Sequence, residues 1–353
     1  MTKEVLVAGK SSTGKTLIAL ALAARAREAG RRVSYFKPIG ERSYPFQEAF
    51  SVDPDAILMK EHLSLPFEPE VINPIVRTRA SYDEFLKTGR EALLSRIREC
   101  HDHVSKGYDI VIIEGAKAPY DLLHVGLSAP EIARELGAEV ILVVAFDDFD
   151  VIDEILWSRE FFEAHGAESV NVVLTIVPPM LKHSVEEEIG PLLETHGMRL
   201  MGMLVQHKEL LAPSIRDIRE VLEGKMILGE DRLDVPITEF MVGSMAPENA
   251  LKWFRRAKDK AVITSGDRAD VCLAALETDT NLLILTGGIG PDVRTVARAR
   301  ETSTAIMVTD KDTFATSQLV DGLVGSIRPE DHQKIATIER IVGESVDFSV
   351  LEL

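Results

Sequence analysis

Residues Gly9-Lys10-Ser11-Ser12-Thr13-Gly14-Lys15-Thr16 constrain this chain more than any other stretch. They fit the pattern G-x-x-x-x-G-K-T. They follow the apolar run Val5–Ala8 and open a run of small and aliphatic residues, Thr16–Ala29, which Gly30 closes. A strand, a glycine-bearing turn and a helix in that order form a cradle for phosphate. Glycine lets the backbone curl so that successive N–H groups point inward. The helix that follows adds the positive end of its dipole. Lys15 is placed to reach the β- and γ-phosphates as a compact charge, and the Thr16 hydroxyl to ligate magnesium. The motif therefore predicts a nucleoside triphosphate, ATP or another, bound with Mg2+.

Beyond the loop, short apolar runs alternate with helical patterns, which argues for parallel sheets with crossover helices. Val33–Phe36, Ile110–Ile113, Val140–Ala145, Val170–Val177 and Leu200–Val205 read as strands. Ser81–Lys106, Ala129–Leu136 and Asp153–His165 read as helices, the first of them long and unbroken. A second series follows. Ser214–Glu223 and Pro247–Ala257 are helical, and then Ala261–Thr264, Arg268–Glu277, Leu282–Leu285, Pro291–Glu301, Ala305–Val308 and Thr313–Val320 alternate strand and helix. The boundary falls near residue 212, giving domains over 1–212 and 213–353 without a Ser/Gly linker between them.

Composition bounds the partners. A net charge of −17 repels nucleic-acid backbones and anionic membranes, so neither is expected. No apolar run approaches the roughly 18 residues of a membrane helix. The two cysteines, Cys100 and Cys272, make neither a metal cluster nor a disulfide framework. A cytoplasmic location is expected.

Two further residues near the loop carry chemistry. The strand Ile110–Ile113 ends in Glu114-Gly115-Ala116. Ligands of open α/β sheets lie beyond the carboxyl ends of strands, so Glu114 would face the loop and hold magnesium or its water. The alternative is a helix-capping or solvent-facing acid. Lys10 matches the variant loop G-K-x-x-x-G-K-T, in which the early lysine contacts phosphate across a dimer, although Ser11 and Ser12 stand where that variant has glycines. The alternative is an ordinary surface lysine beside the site.

Taken together, residues 1 to about 212 resemble the dethiobiotin synthetase group, and more closely the dethiobiotin-synthetase-like N-terminal region of long phosphate acetyltransferases. The phosphate loop, Tyr35-Phe36-Lys37-Pro38-Ile39, Asp53-Pro54-Asp55-Ala56, Asn73-Pro74, Glu114-Gly115-Ala116 and Pro130-Glu131-Ile132-Ala133 carry the resemblance. It implies a P-loop NTPase-type sheet. It also implies magnesium on Thr16, on Asp53 or Asp55, and on Glu114, with Lys37 near the reacting groups. The position whose asparagine reads the base in that group is Thr175 here, and Lys117-Ala118 replaces a glycine pair. The loop is also one residue shorter than is usual in dethiobiotin synthetase. These departures separate the chain from dethiobiotin synthetase itself.

The second half resembles the DRTGG domain through Asp267-Arg268, Thr286-Gly287-Gly288, Met241-Val242-Gly243 and Asp312-Thr313. The fold expected is therefore α/β throughout, a P-loop NTPase-type parallel sheet followed by a smaller α/β domain. Asp267, Arg268, Thr286, Gly287 and Gly288 lie at strand ends and suit either a second ligand crevice or helix caps with a dimer contact. In phosphate acetyltransferases a catalytic domain follows. The sequence stops at Leu353, so that activity is not expected. Both resemblances imply a homodimer. Three functions fit: a nucleotide-binding regulator whose DRTGG domain dimerises or binds an effector; an ATP-dependent ligase or kinase with a small acid or amine as cosubstrate; and a dimeric switch ATPase that uses Lys10.

Overall fold

Val5–Ala8 lies in the middle of a sheet, where an unbroken apolar run can be covered on both faces. The structure, a computed structural model, describes residues 2–41, 52–78, 81–167, 170–207, 212–321, 323 and 325–352, with the backbone alone at 81–84. Its first strands are β1 Lys3–Gly9, β2 Val33–Phe36, β3 Ile39–Glu41, β4 Ile75–Arg77, β5 Ile110–Glu114, β6 Glu139–Ala145, β7 Val170–Val177 and β8 Arg199–Val205. Six of them form one sheet in the order β2-β5-β1-β6-β7-β8, and every neighbouring pair is parallel. The short β3 and β4 pair with each other.

This order makes β1 the switch point. From it the chain passes to the edge strand β2 and returns through β5 on one side, then crosses to run from β6 to β8 on the other, so a crevice opens beyond its carboxyl end. Helix Lys15–Glu28 starts there with Gly14 as its N-cap, at φ 90°, and buries Ile18 through Ala23. The expected single helix over Ser81–Lys106 is two helices, Ser81–Thr88 and Arg90–Ser105. Gly89 takes φ 76° between them. Periodicity shows the apolar stripe, but a left-handed residue turns the chain without breaking that pattern.

The chain divides into two compact units, one of Met1–Gln206 with Ile327–Leu353, the other of His207–Ser326. The sequence reading carried the second domain from 213 to 353. Instead the helix His332–Ser345 packs on helix Lys15–Glu28 and on β8, with Ile335, Ile338 and Val342 buried. The segment after it lies along the edge of β8. The Asp347 N–H donates to the Met201 carbonyl at 2.7 Å, and Val346 pairs with Gly202. A side chain at Gly202 would bring its Cβ to 2.1 Å from the Ser345 oxygen, so the close approach needs glycine. Local periodicity marks such a helix as amphipathic but does not say which domain its stripe will face.

The second unit is a five-stranded sheet of β9 Lys225–Leu228, β10 Glu239–Val242, β11 Lys260–Ser265, β12 Thr280–Thr286 and β13 Ala305–Val308, in the order β10-β11-β12-β13-β9. The first four are parallel, and β9 adds an antiparallel edge. Alternate residues feed opposite cores: Ala261, Ile263, Leu282 and Ile284 on one face, Val262, Leu283 and Leu285 on the other. The domain is thus α/β, as the second series of runs predicted.

Candidate functional site

The phosphate loop leaves the carboxyl end of β1 and turns back into helix Lys15–Glu28. Gly9 is required by space, because a Cβ there would come within 2.3 Å of the Val143 oxygen. Gly14 and Ser12 both take left-handed φ, 90° and 60°. No side chain caps the helix, so its first N–H groups face the loop interior. Lys15 is buried and folds onto its own loop, donating to the carbonyls of Gly9 at 3.0 Å and Lys10 at 2.8 Å. Burial lowers its pKa, and the Glu114 carboxylate opposes that shift. Thr13 donates its hydroxyl to the Lys10 carbonyl at 2.9 Å, which closes the turn.

Strand order brings the other chemistry to this loop. Glu114, at the end of β5, lies opposite Val7 of β1 and is buried to 1% exposure. The Thr16 hydroxyl donates to its Oε1 at 3.3 Å. The fully buried Tyr35 of β2 donates its hydroxyl to Oε2 at 3.0 Å. Lys37, just beyond β2, directs Nζ into the same place. It contacts Glu114 Oε1 at 2.9 Å, Asp53 Oδ1 at 3.0 Å and Asp55 Oδ2 at 2.7 Å. Every proposed metal carboxylate therefore converges on one lysine.

The two aspartates differ in circumstance. Asp53 caps helix Pro54–Leu63, accepting from Asp55 N at 3.0 Å and from Glu41 N at 2.7 Å. Its own N–H donates to Asn73 Oδ1 at 2.9 Å, while Asn73 Nδ2 donates to the Lys37 carbonyl at 2.7 Å. Asn73 thus ties the aspartate segment to the end of β2. Gly40 leaves room for it, since a Cβ there would meet Asn73 Oδ1 at 2.5 Å. The Asp55 side chain keeps 39% of its surface exposed, against 8% for Asp53. Sequence reasoning assigned no role to Tyr35 or Asn73, although both lie in the segments that carried the resemblance.

Electrostatics follow from this packing. Burial alone would depress the Lys37 pKa, but the fields of Asp55, Glu114 and Asp53 outweigh it and hold the ammonium well above the usual lysine range. Burial raises Glu114 and Asp53 despite the nearby lysine. For Asp55 burial pulls the same way, yet Lys37 wins and holds it below the usual carboxylate range. Among the described residues no group of three or more His, Cys, Asp or Glu side chains is arranged to hold a metal by itself. A lysine stands where the acids meet.

Other expected residues fall as follows. Lys10 pairs with Glu154 at 2.7 Å on the surface. Thr175, at the end of β7, is buried and donates its hydroxyl to the Thr13 carbonyl at 2.7 Å, so it braces the loop from behind. In the second unit, Asp267 and Arg268 follow β11, and Thr286, Gly287 and Gly288 end or follow β12. Their polar groups meet neighbours. Thr286 bonds Thr313 at 2.9 Å, Gly287 and Gly288 donate to Lys311 and Thr309, and Arg268 holds Asp270 and the Met245 carbonyl. No helix among the described residues is long and apolar enough to cross a membrane.

The chain is similar in sequence to phosphate acetyltransferases. The phosphate acetyltransferase of Nitratidesulfovibrio vulgaris is 26% identical over 366 residues, covering 98% of this chain and 50% of its own. That of Pseudomonas putida is 24% identical over 356 residues, covering 96% and 50%, and that of Escherichia coli 23% over 384, covering 99% and 52%. The chain spans about half the length of these relatives. Among solved structures, a putative plasmid partition protein from Borrelia burgdorferi bound to AMPPNP aligns at 14% identity and TM-score 0.40, covering 59% of this chain and 89% of that one. The CBS and DRTGG domains of Clostridium perfringens pyrophosphatase, complexed with diadenosine tetraphosphate, align at 22% identity and TM-score 0.29, covering 42% and 75%. A DRTGG domain model matches residues 217–323. Residues 3–214 match the AAA domain model, and with them most of the chain: it belongs to the AAA domain family, with a DRTGG domain following.

Proposed function

We propose that the first unit binds a nucleoside triphosphate with magnesium, and that the chain uses this binding to sense or regulate, its DRTGG domain serving dimerisation or a small-molecule effector. The observation that carries the reading is the loop Gly9–Thr16, with Glu114 3.3 Å from the Thr16 hydroxyl at the carboxyl end of the neighbouring strand. The residues fit magnesium. Thr16, Asp55 and Glu114 offer only oxygen, with few carboxylates, which leaves positions for phosphate oxygens and water. Asp53 is already engaged as a helix cap, so Asp55 is the aspartate for the metal side. Magnesium supplies charge neutralisation at the β- and γ-phosphates when bound. The loop N–H groups orient the phosphates, Lys15 leaves its own carbonyls to meet them, and Thr175 keeps the loop in shape from behind.

The test is calorimetric titration of the purified protein with ATP·Mg and GTP·Mg, beside Lys15→Ala. Saturable binding that the variant loses supports the reading and reports the base preference. Absence of binding by either nucleotide refutes it. One observation favours a second reading, that of an ATP-dependent ligase or kinase: Lys37 places a buried cation 2.9 Å from Glu114, beside the phosphate loop, where it can stabilise charge on a transferred group. That reading requires phosphate release dependent on a small acid or amine. A switch ATPase requires slow hydrolysis that Lys10→Ala abolishes.

A further inference from the structure

Three carboxylates and one ammonium make an odd buried group. A structural ion pair inside a protein needs charge balance, because each unpaired buried ion is costly to desolvate. Here Asp53, Asp55 and Glu114 surround Lys37 Nζ within 3.0 Å, and Lys37 and Glu114 have side chains only 6% and 1% exposed. Lys15 also feels the fields of these acids, but its ammonium hydrogen-bonds the loop carbonyls of Gly9 and Lys10. Three carboxyl groups thus share the hydrogen bonds of one ammonium, and Asp55 and Glu114 also meet each other. Orientation sharpens the point. Tyr35 fixes Glu114 Oε2, which directs Oε1 toward Thr16, and this same Oε1 accepts from Lys37. Asp55, the partly exposed acid, gives Lys37 its shortest contact at 2.7 Å.

We propose that the Lys37 ammonium is a resident counter-ion of the magnesium carboxylates. In the nucleotide-free protein it holds Asp55 and Glu114 at the oxygens the cation would use, and so disfavours binding of a divalent cation without nucleotide. This inference rests on the reading that Thr16, Asp55 and Glu114 face magnesium, and it adds an order of events. Lys37 yields those oxygens only when phosphate arrives to offer its ammonium another partner. Asp53, held by two backbone N–H groups as well as by Lys37, stays in place as the anchor of the lysine. Lys37 is on this account a positioning and selectivity residue, independent of any turnover.

The experiment uses the metal alone. Thermal unfolding of the full chain is followed in EDTA and across a magnesium chloride series without nucleotide, for wild type, Lys37→Ala and the double variant Lys37→Ala/Asp53→Asn. The double variant removes one positive and one negative charge, and asparagine retains an oxygen for the helix cap, so it protects the test against simple failure of the single variant to fold. Wild type is expected to be nearly indifferent to magnesium. The variants are expected to melt at a lower temperature in EDTA and to recover by several degrees with added metal. For Lys37→Ala the midpoint concentration should be at least about tenfold below any response of wild type, as removal of a unit charge this close requires, while the double variant, its net charge unchanged, responds because Asp55 and Glu114 are freed. A folded double variant that ignores magnesium overturns the proposal, and so does a wild type that responds equally well. Nucleotide titration of wild type fails or succeeds separately, so the two readings stay distinguishable.

Discussion

Replacing Ile338 by alanine tests which unit owns the last helix. Ile338 is 1% exposed, beside Ile335 and Val342 at 2% each, on a helix that packs against helix Lys15–Glu28 and β8. Ile338→Ala deletes three carbons from a sealed site, and such changes cost about 2–5 kcal/mol. For a body of some 150–250 residues each kcal/mol lowers the melting temperature by about 2–4 °C, so a fall of roughly 4–20 °C is expected. The two tryptophans separate the units: Trp157 lies in the first and Trp253 in the second. With Trp253→Phe, fluorescence reports the first unit through Trp157, which stacks on Phe161 at 5.6 Å. With Trp157→Phe it reports the second. Ile338→Ala should move the Trp157 transition. Movement of the Trp253 transition alone would return residues 327–353 to the second domain and refute the assignment.

Three further outcomes are expected. Thr175→Val keeps the shape but leaves the buried Thr13 carbonyl without its donor, so nucleotide affinity measured by calorimetry should fall by about tenfold; unchanged affinity would mean that the bond does not shape the loop. Gly89→Ala forces an L-residue into φ 76° with nothing within 4 Å of the new Cβ, so strain alone should lower unfolding stability by about 1–2 kcal/mol, whereas a gain would indicate a continuous helix over Ser81–Lys106. Hydrogen bonds from Arg32 hold the Asp109 carboxyl down to about 2, so its contribution to folding is complete above the ordinary carboxylate pKa and is lost as pH falls from there through about 2. In Arg32→Ala the carboxyl should rise but stay below the ordinary value of roughly 3.9, because the backbone N–H of residue 32 still donates to it at 2.8 Å, as NMR of the Asp109 side chain will show.

Much of the first unit was legible because its signals are local. A glycine loop between a strand and a helix declares itself within sixteen residues, since every part of the phosphate cradle is backbone of one segment. Strands Val33–Phe36 and Val170–Val177 and helix Ala129–Leu136 match their apolar runs to the residue. Glu114 was placed by one general rule, that a parallel strand delivers its last side chain to the ligand crevice. Alternation of runs was enough to give an α/β chain with two series.

What the sequence could not determine is set by strand order and by which apolar faces meet. Lys37 and Glu114 lie 77 positions apart, and only the adjacency of β2 and β5 turns a strand-end lysine into the centre of three carboxylates. That Asp53 rather than Asp55 caps helix Pro54–Leu63 depends on contacts with Glu41 at the end of β3 and Asn73 at the end of helix Pro69–Ile72. Thr175, at the position that reads the base in the group the sequence resembles, braces the loop through the Thr13 carbonyl, a contact made only because β7 ends beside the loop. The helix His332–Ser345 shows the same limit at larger scale. Its sequence specifies an apolar stripe, but that stripe is satisfied by whichever surface the fold presents, and here the tertiary structure presents the back of the phosphate-loop helix.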